Sequence, residues 1–145
     1  MTTYSAHDID TMARTLFGEI RGGTLSDKIA VAWTIRNRAD MDLGNDGKPD
    51  WWGEGIAGVC LKPWQFSCWN ANDPNRDKLL KADISLASFR ECLAVTAHVL
   101  GGKSTDPTKR ATHYYNPDVV NEPHWVKGAT LTGKIGAHLF YTNVP

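Results

Sequence analysis

One stretch decides the fold of this chain: Ala13-Arg14-Thr15-Leu16-Phe17-Gly18-Glu19-Ile20-Arg21-Gly22-Gly23. Apolar side chains in and before it recur at the spacing of one helix face, at Ile9, Met12, Ala13, Leu16, Phe17 and Ile20. The pattern predicts a helix from Ser5 to Arg21. Ser5 and Asp8 have the spacing of a capping box at its start, and two glycines end it.

Glu19 stands out in this helix because it falls at the edge of the apolar face, beside Met12. A carboxyl there is half out of water, in the last helical turn, where the helix dipole disfavours an anion. Both effects raise a carboxyl pKa, and a raised pKa suits a general acid at neutral pH. Arg21 acts in the opposite direction, and an ordinary helix-end glutamate with a solvated head is the alternative interpretation.

Length and charge exclude several classes of protein. A chain of 145 residues fits one domain with a buried core, and 16 Lys and Arg balance 16 Asp and Glu. This balance argues against a nucleic-acid partner, although it allows a local basic patch. No stretch approaches the length of a membrane-spanning helix. The N-terminus lacks the basic start and apolar core of a signal peptide, so we expect synthesis in the cytoplasm and another route of release.

Cysteine and tryptophan usage adds two open questions. Cys60, Cys68 and Cys92 are too few for a disulfide scaffold; a Cys60–Cys68 bridge is one alternative, and reduced, mostly buried thiols are the expectation. Four of the six tryptophans lie between residues 51 and 69, in a stretch that does not read as core helix. They either form a stacking surface for sugars or bases or fill a small core.

The rest of the chain predicts an α+β fold. A second, buried helix begins at Thr24 or Ser26 and runs to about Asp40, and a third runs from Ser85 to Leu100. The inward face of the third helix is predicted to contain Phe89, Cys92, Leu93, Thr96, Ala97 and Leu100. Between these helices, residues 41–75 are rich in turn formers, and Asp77–Lys81 forms a short helical turn. Three β-like segments (111–115, 129–132 and 138–142) predict a small antiparallel sheet.

Two segments carry groups that bind sugars. Residues 62–70 bring an amide, a hydroxyl and indoles together, which suit sugar hydroxyls and N-acetyl groups. A second set follows in His113-Tyr114-Tyr115-Asn116 and Pro123-His124-Trp125. We expect the two sets to form a polar and aromatic groove across Glu19.

The order of several motifs resembles a known family. The motifs are Ala13-Arg14, Gly18-Glu19-Ile20-Arg21-Gly22, Val31-Ala32-Trp33-Thr34-Ile35-Arg36-Asn37-Arg38, Gln65-Phe66-Ser67, Tyr115-Asn116, Trp125 and Ile135-Gly136-Ala137-His138-Leu139-Phe140-Tyr141. Over about residues 9–141 the chain resembles the cell wall hydrolase family of the spore cortex-lytic enzymes, which also includes phage endolysins.

The resemblance implies a fold like that of goose-type lysozyme and the lytic transglycosylases, with residues 1–145 as a single catalytic domain. It implies that Gly18-Glu19 supplies the catalytic glutamate. It further implies cleavage of the β-1,4 bond between N-acetylmuramic acid and N-acetylglucosamine in peptidoglycan. In two respects the chain departs from its relatives: Ile-Arg follows Glu19 where many carry a small residue, and no separate wall-binding domain or signal peptide is recognisable. These departures favour a compact phage endolysin, released through a holin pore and acting on the host cell wall.

The expected mechanism uses one carboxyl. A two-carboxylate glycosidase needs a second acid across the bond, and none stands out; Asp27, Asp40, Glu54 and Glu91 are candidates by residue type only. We therefore predict that Glu19 protonates the leaving oxygen and that the muramoyl C6 hydroxyl attacks C1, giving a 1,6-anhydro product. Water attack, as in a lysozyme, is the alternative.

The expected partners of the sugar are seven side chains: Gln65, Ser67, Trp69, Tyr114, Tyr115, Asn116 and Trp125. The polar ones position it and stabilise developing positive charge, and the two indoles stack. Glycan strands of peptidoglycan are the expected partner of a monomeric enzyme. We expect no cofactor, no metal ion, no nucleic acid and no membrane insertion.

Four other interpretations compete with this one. A zinc peptidase or amidase would use His113, His124 or His138, whose spacings match no compact zinc motif. A cysteine peptidase would pair Cys68 with His113 or His138. Residues 42–54 partly resemble a calcium loop, in which the bidentate acid is missing unless Glu54 shifts in. A sugar-binding module would keep the aromatic groove without turnover.

Overall fold

The computed structural model of the protein describes residues 4–41, 52–102 and 104–145. Its helices are α1 (Ala6–Ile20), α2 (Leu25–Met41), α3 (Gly55–Leu61), α4 (Pro74–Lys81) and α5 (Ala87–Leu100). Its strands are β1 (His113–Tyr115), β2 (Thr130–Ile135) and β3 (His138–Thr142), and two 3₁₀ turns span Ser67–Trp69 and His124–Val126. Within these residues, no helix is both long enough and apolar enough to cross a membrane.

Helix α1 has the predicted start and end. The Ser5 hydroxyl accepts from the Asp8 N–H at 3.0 Å, and the Asp8 carboxylate accepts from the Ser5 N–H at 3.1 Å. Arg21 is the C-cap. Met12 and Leu16 have no exposed surface, so the predicted apolar face is the face that enters the core.

Helix α2 passes through the core, as predicted from its apolar residues. Val31, Ala32 and Ile35 are completely buried. Of the two candidate caps, Thr24 is the one used: its hydroxyl accepts from the Asp27 N–H, and the Asp27 carboxylate accepts from the Thr24 N–H, each at 3.1 Å.

Helix α5 packs on α1, and its predicted inward face is partly wrong. Phe89, Cys92, Thr96 and Leu100 are buried, whereas Leu93 is half-buried and Ala97 is exposed. The positions that complete the buried face are Val95 and Val99. The contact with α1 includes the edge of Phe17 against Phe89, with ring centroids 6.0 Å apart. The buried face is therefore rotated slightly about the helix axis from the predicted one.

The turn-rich region between α2 and α5 contains helices that the sequence predicted poorly. Helix α3 was not predicted. Helix α4 begins at Pro74, before the predicted Asp77, and the Asp73 side chain caps it by accepting from the Asn75 N–H at 2.8 Å. The calcium-loop hypothesis depends on residues 42–51, which lie outside the described residues.

The sheet is antiparallel, in the order β1-β3-β2. Strand β1 begins at His113 rather than Ala111, and β2 extends through Gly133 to Ile135, past its predicted end, with an irregularity between Leu131 and Gly133. One face holds Phe140, which is completely buried and packs with Ala30 of α2. The sheet therefore attaches to the second helix and lies beside the end of α1.

Candidate active site

A groove of about 380 Å³ opens where the end of α1 meets the Ser67–Trp69 turn and strand β1. Its lining consists of Glu19, Arg38, Trp64, Gln65, Phe66, Ser67, His113, Tyr114 and Trp125. The structure therefore brings together five of the predicted site residues: Glu19, Gln65, Ser67, Tyr114 and Trp125. Glu19 is the only carboxyl in this lining of described residues.

Glu19 is half-buried, and its surroundings favour the protonated form. Burial is the largest influence and raises the pKa of its carboxyl above the ordinary value of 4.5. The thiol and the N–H of Cys68 donate toward the carboxyl and lower the pKa, while the nearby negative charge of Asp73 raises it. Burial outweighs the donors, so Glu19 keeps its proton to a higher pH than a solvated glutamate.

The four acids considered as a second catalytic carboxyl all lie away from the groove. Asp40 pairs with Arg36 at 3.5 Å, and Glu91 accepts from the Lys28 ammonium at 2.7 Å. Asp27 lies against the β2–β3 turn, where it accepts from the Ala137 N–H. Glu54 is exposed at the start of α3. None of these four lines the groove.

A buried cation and a neutral imidazole line the same groove as Glu19. The Arg38 Nε donates to the Thr112 carbonyl at 2.6 Å, and burial lowers its pKa to about 10, so it stays charged at neutral pH. Burial and the Arg38 charge lower the pKa of His113 to about 4. His113 is therefore an uncharged hydrogen-bonding group at neutral pH. Neither residue was among the seven expected sugar partners: Arg38 appeared only in a motif of the family resemblance, and His113 only in the second sugar-binding segment and in the two peptidase alternatives.

Tyr114 is held as a neutral phenol. Burial raises the pKa of its hydroxyl far above the usual range, and the charge of Glu19 adds to this effect. Its ring packs against His138 and Phe140, with centroids 5.4 and 5.7 Å apart. A neutral O–H that lines the groove can both donate to and accept from a sugar.

Two indoles line the groove in different ways. Trp64 is 79% exposed, and its backbone adopts the left-handed conformation (φ 68°), which is uncommon for a residue with a large side chain. Trp125 is half-buried and fixed by ring contacts with His113, Tyr115 and Tyr141. Trp64 belongs to the 62–70 segment that predicted sugar binding, yet it was not selected as a site residue.

Gln65 and Ser67 both line the groove, but the Gln65 side chain is held by hydrogen bonds and the Ser67 side chain is exposed. The Gln65 amide nitrogen donates to the carbonyls of Trp52 and Val59 at 2.7 and 2.9 Å, so its two N–H groups hold the loop together. Its carbonyl oxygen is the atom left to meet a ligand. The Ser67 side chain is exposed on the 3₁₀ turn.

Three predicted binding residues lie outside the groove lining. The Trp69 indole donates to the Thr15 hydroxyl at 2.9 Å and packs against the core. Tyr115 stacks on Tyr141, and the Asn116 side chain accepts from the Asp118 N–H in a turn. Their contacts are structural, and their roles toward a substrate stay predictions. Of the four tryptophans between residues 51 and 69, Trp69 packs against the core and Trp64 lines the groove. A stacking role for the exposed Trp64 indole stays a prediction, and Trp51 lies outside the described residues.

The geometry gives no support to the two peptidase hypotheses. In the three described ranges, no group of three or more His, Cys, Asp or Glu side chains is arranged to hold a metal ion. All three cysteines are free thiols, and all are buried. Burial and the charge of Glu19 raise the pKa of Cys68, which disfavours the thiolate that a cysteine nucleophile requires.

Comparison with known proteins identifies the family. Residues 22–141 match the family described as Cell Wall Hydrolase. The chain belongs to the cell wall hydrolase family. The match begins after Glu19, so the role of this residue depends on the groove rather than on the matched region.

Curated relatives include two spore cortex-lytic enzymes. The enzyme of Bacillus subtilis is 26% identical over 137 residues, and that of Halalkalibacterium halodurans is 28% identical over 137 residues. Both alignments cover 94% of this chain but only 38% and 35% of the relatives. This cell wall hydrolase thus spans less than half the length of the relatives it matches.

Two solved structures are similar over nearly the whole chain. The catalytic domain of the germination-specific lytic transglycosylase SleB from Bacillus anthracis matches with a TM-score of 0.70 and 26% identity, covering 98% of this chain and 99% of that domain. The catalytic domain of the Bacillus cereus SleB protein matches with a TM-score of 0.66 and 27% identity, covering 98% and 94%. The predicted lysozyme-like α+β fold, a helical core with a small antiparallel sheet, is confirmed.

Proposed function

We propose that this cell wall hydrolase cleaves the β-1,4 bond between N-acetylmuramic acid and N-acetylglucosamine in peptidoglycan, as a lytic transglycosylase. The observation that carries the proposal is the position of Glu19, the only carboxyl in the groove lining of described residues. Similarity to the lytic transglycosylase catalytic domain supports the same reaction class.

The proposed reaction begins with proton donation. Protonated Glu19 gives its proton to the glycosidic oxygen, the bond from this oxygen to C1 of the muramoyl residue breaks, and the N-acetylglucosamine leaves with a free 4-hydroxyl. Positive charge develops at C1 and the ring oxygen. Because burial raises the pKa of Glu19, its protonated form persists to a higher pH than that of a solvated glutamate.

The second half closes a ring and restores the enzyme. The muramoyl C6 hydroxyl attacks C1, and the Glu19 carboxylate takes the hydroxyl proton, which leaves a 1,6-anhydro product and a protonated Glu19. No water is consumed. The neutral state of His113 and Tyr114 avoids adding charge near the reacting centre, and the exposed indole of Trp64 offers a face on which a sugar ring stacks.

Mass spectrometry of purified peptidoglycan, digested by the wild type and by Glu19→Gln, tests the proposal. Anhydro-muropeptides from the wild type alone are the expected result. Reducing-end muramic acid would instead show water attack and a lysozyme. Bound but uncut glycan would show a sugar-binding module, and cut peptide stems would overturn the glycosidase proposal.

We also propose that the protein acts as an endolysin on the cell wall of a bacterial host. The support is membership of a cell wall hydrolase family. Expression in a bacterial cytoplasm, followed by permeabilisation of the inner membrane, should cause lysis with the wild type and not with Glu19→Gln. Lysis without permeabilisation would contradict the need for a release pore.

A further inference from the structure

Arg38 is a buried cation in the wall of the candidate active site. The residue is only 8% exposed, yet it lines the groove that contains Glu19. Its Nε donates to the Thr112 carbonyl at 2.6 Å, and its guanidinium carbon lies 5.6 Å from the centre of the Phe66 ring. These two contacts fix the guanidinium between the end of α2 and the residue before β1.

The positive charge of Arg38 lacks a counterion in the part of the chain that the structure describes. Besides Nε–H, a guanidinium has four N–H donors on its two terminal nitrogens. Among the described residues, the hydrogen bond of Arg38 to Thr112 uses Nε alone, and no ion pair includes Arg38. The donors of the terminal nitrogens are therefore left for a ligand in the groove.

Two other cations of the same helix show how such charges are otherwise neutralised. Lys28 is 4% exposed, and its ammonium donates to the Glu91 carboxylate at 2.7 Å. Arg36 pairs with Asp40 at 3.5 Å. Because a buried charge without a partner is costly in free energy, the position of Arg38 at an open groove suits a negatively charged ligand.

We propose that Arg38 binds a carboxylate of the substrate and thereby gives the enzyme a preference for muramoyl glycans. This inference rests on the proposed function, in which the groove binds peptidoglycan. An N-acetylmuramoyl residue differs from N-acetylglucosamine by a lactyl ether on its 3-oxygen, and this ether ends in a carboxyl group.

The carboxylate has two possible sources in peptidoglycan. The lactyl carboxyl is ionised where the strand carries no peptide, and the peptide stem has carboxylates of its own where one is attached. The planar guanidinium of Arg38 can meet either carboxylate with two parallel N–H···O bonds. A chitin strand, which consists of N-acetylglucosamine alone, offers no such group.

Two arginines of α2 provide a matched pair of variants. Arg38→Gln removes a charge from the wall of the groove. Arg36→Gln removes the same charge from a residue that donates to the Val99 carbonyl at 2.7 Å, packs over the Trp33 ring and lies outside the groove lining. Both are made in a Glu19→Gln parent, so that binding is measured without cleavage.

Binding is measured on peptide-free and on peptide-bearing glycan strands, each before and after conversion of its carboxylates into neutral methylamides. Arg38→Gln should bind at least one kind of untreated strand about 10- to 100-fold more weakly than the parent, the effect of a charge-assisted pair of hydrogen bonds. On the methylamide strands the two should bind equally, because the partner of the charge is gone. Arg36→Gln should bind every strand as the parent does.

The two untreated strands distinguish the sources. A loss of affinity on peptide-free strands identifies the lactyl carboxylate, and a loss confined to peptide-bearing strands identifies the stem. Equal binding of Arg38→Gln and its parent to both untreated strands would overturn the proposal. An equal loss in Arg36→Gln, or a loss that persists on the methylamide strands, would overturn it as well.

Two further measurements keep the proposal testable by itself. If Arg38→Gln does not fold, the parent alone is compared on untreated and methylamide strands, and unchanged affinity for both kinds contradicts carboxylate recognition. Digestion by the wild type tests the proposed function separately. Carboxylate binding through Arg38 in a protein that cuts no glycan supports the role of Arg38 and contradicts the proposed function, whereas cleavage with no effect of Arg38→Gln contradicts this inference alone.

Discussion

Two carboxyls, Glu19 and Asp27, are both withdrawn from water, yet their pKa values move in opposite directions. Burial acts to raise the pKa of each. At Asp27, which is 4% exposed, the N–H and hydroxyl of Thr24, the His138 ring and the Ala137 N–H outweigh burial and lower the pKa. At Glu19 the donors belong to Cys68, and burial prevails.

The difference shows that hydrogen-bond donors, more than burial, decide what a buried carboxyl does here. Asp27 is stabilised as an anion and attaches the β2–β3 turn to α2, with the His138 Nδ1 3.5 Å from its Oδ1. Glu19, whose pKa burial raises, lines an open groove. One carboxyl holds the fold together, and the other is available for chemistry.

Replacement of the reactive carboxyl should give the largest effect. Glu19→Gln keeps the shape of the side chain but cannot donate a proton as an acid, so the rate of glycan cleavage should fall about 10²- to 10⁴-fold. The midpoint of thermal unfolding should stay near that of the wild type, because no structural ion pair is lost. Muropeptide release measures the cleavage rate, and thermal unfolding measures the stability. An active Glu19→Gln protein would show that Glu19 is not the proton donor.

Replacement of the structural carboxyl should give the reverse result. Asp27→Asn removes the charge that donors of three residues stabilise, and should lower the free energy of unfolding by about 1–3 kcal/mol. The folded fraction should keep its cleavage rate. Urea unfolding together with activity per folded molecule tests this; a large loss of rate without a loss of stability would mean that Asp27 acts in catalysis rather than in folding.

The pH dependence of this stability follows from the sign of the shift. Because the pKa of Asp27 is lowered in the folded state, its contribution is present above the ordinary value of 3.8 and is lost as the pH falls through the lowered pKa. On acidification, the free energy of unfolding of Asp27→Asn should therefore fall less than that of the wild type.

A substitution at Gly18 tests the close packing behind Glu19. In Gly18→Ala the new methyl group would lie 2.7 Å from the Cys68 Cβ and 2.8 Å from the Leu79 Cδ2, which should cost about 1–3 kcal/mol of stability. Gly22→Ala is the matched control, because nothing lies within 4 Å of its added Cβ. Equal unfolding midpoints for the two variants would show that the Ser67–Trp69 turn moves to accept the methyl group without loss of stability.

The sequence predicted α1 and α2 well because their signals are local. The capping pairs and the apolar periodicity lie within one helix, and Glu19 was placed at the edge of its face from that periodicity alone. Helix α3 lacks such signals: it has seven residues, and Gly53 and Gly55, both with positive φ, come just before or at its start. The early start of α4 does have a local signal, because Asp73 followed by Pro74 is a typical helix start; the prediction from Asp77 did not use it.

The groove was harder to predict because residue type does not show which way a side chain is held. Trp69 has the chemistry of a stacking residue, but a hydrogen bond to Thr15 directs it to the core. Arg38 reads as a surface cation in a helix, yet it is 8% exposed and lines the groove. Both outcomes depend on contacts between residues more than 50 positions apart, which no local pattern contains.

The smallest expected effect concerns the two indoles that the sequence treated alike. Trp69→Phe removes the hydrogen bond to Thr15 and should lower the free energy of unfolding by about 1 kcal/mol, with KM unchanged. Trp125→Phe should instead raise KM, since this indole lines the groove. Urea unfolding and initial rates on soluble glycan strands distinguish the two; a raised KM for Trp69→Phe would place it in the substrate site.

The most direct measurement is a carbon NMR titration of the two carboxyls, assigned with Glu19→Gln and Asp27→Asn. We expect a pKa above 4.5 for Glu19 and below 3.8 for Asp27 in the same sample. A Glu19 pKa at or below 4.5 would mean that the groove holds an ordinary anion, and would contradict its role as the proton donor.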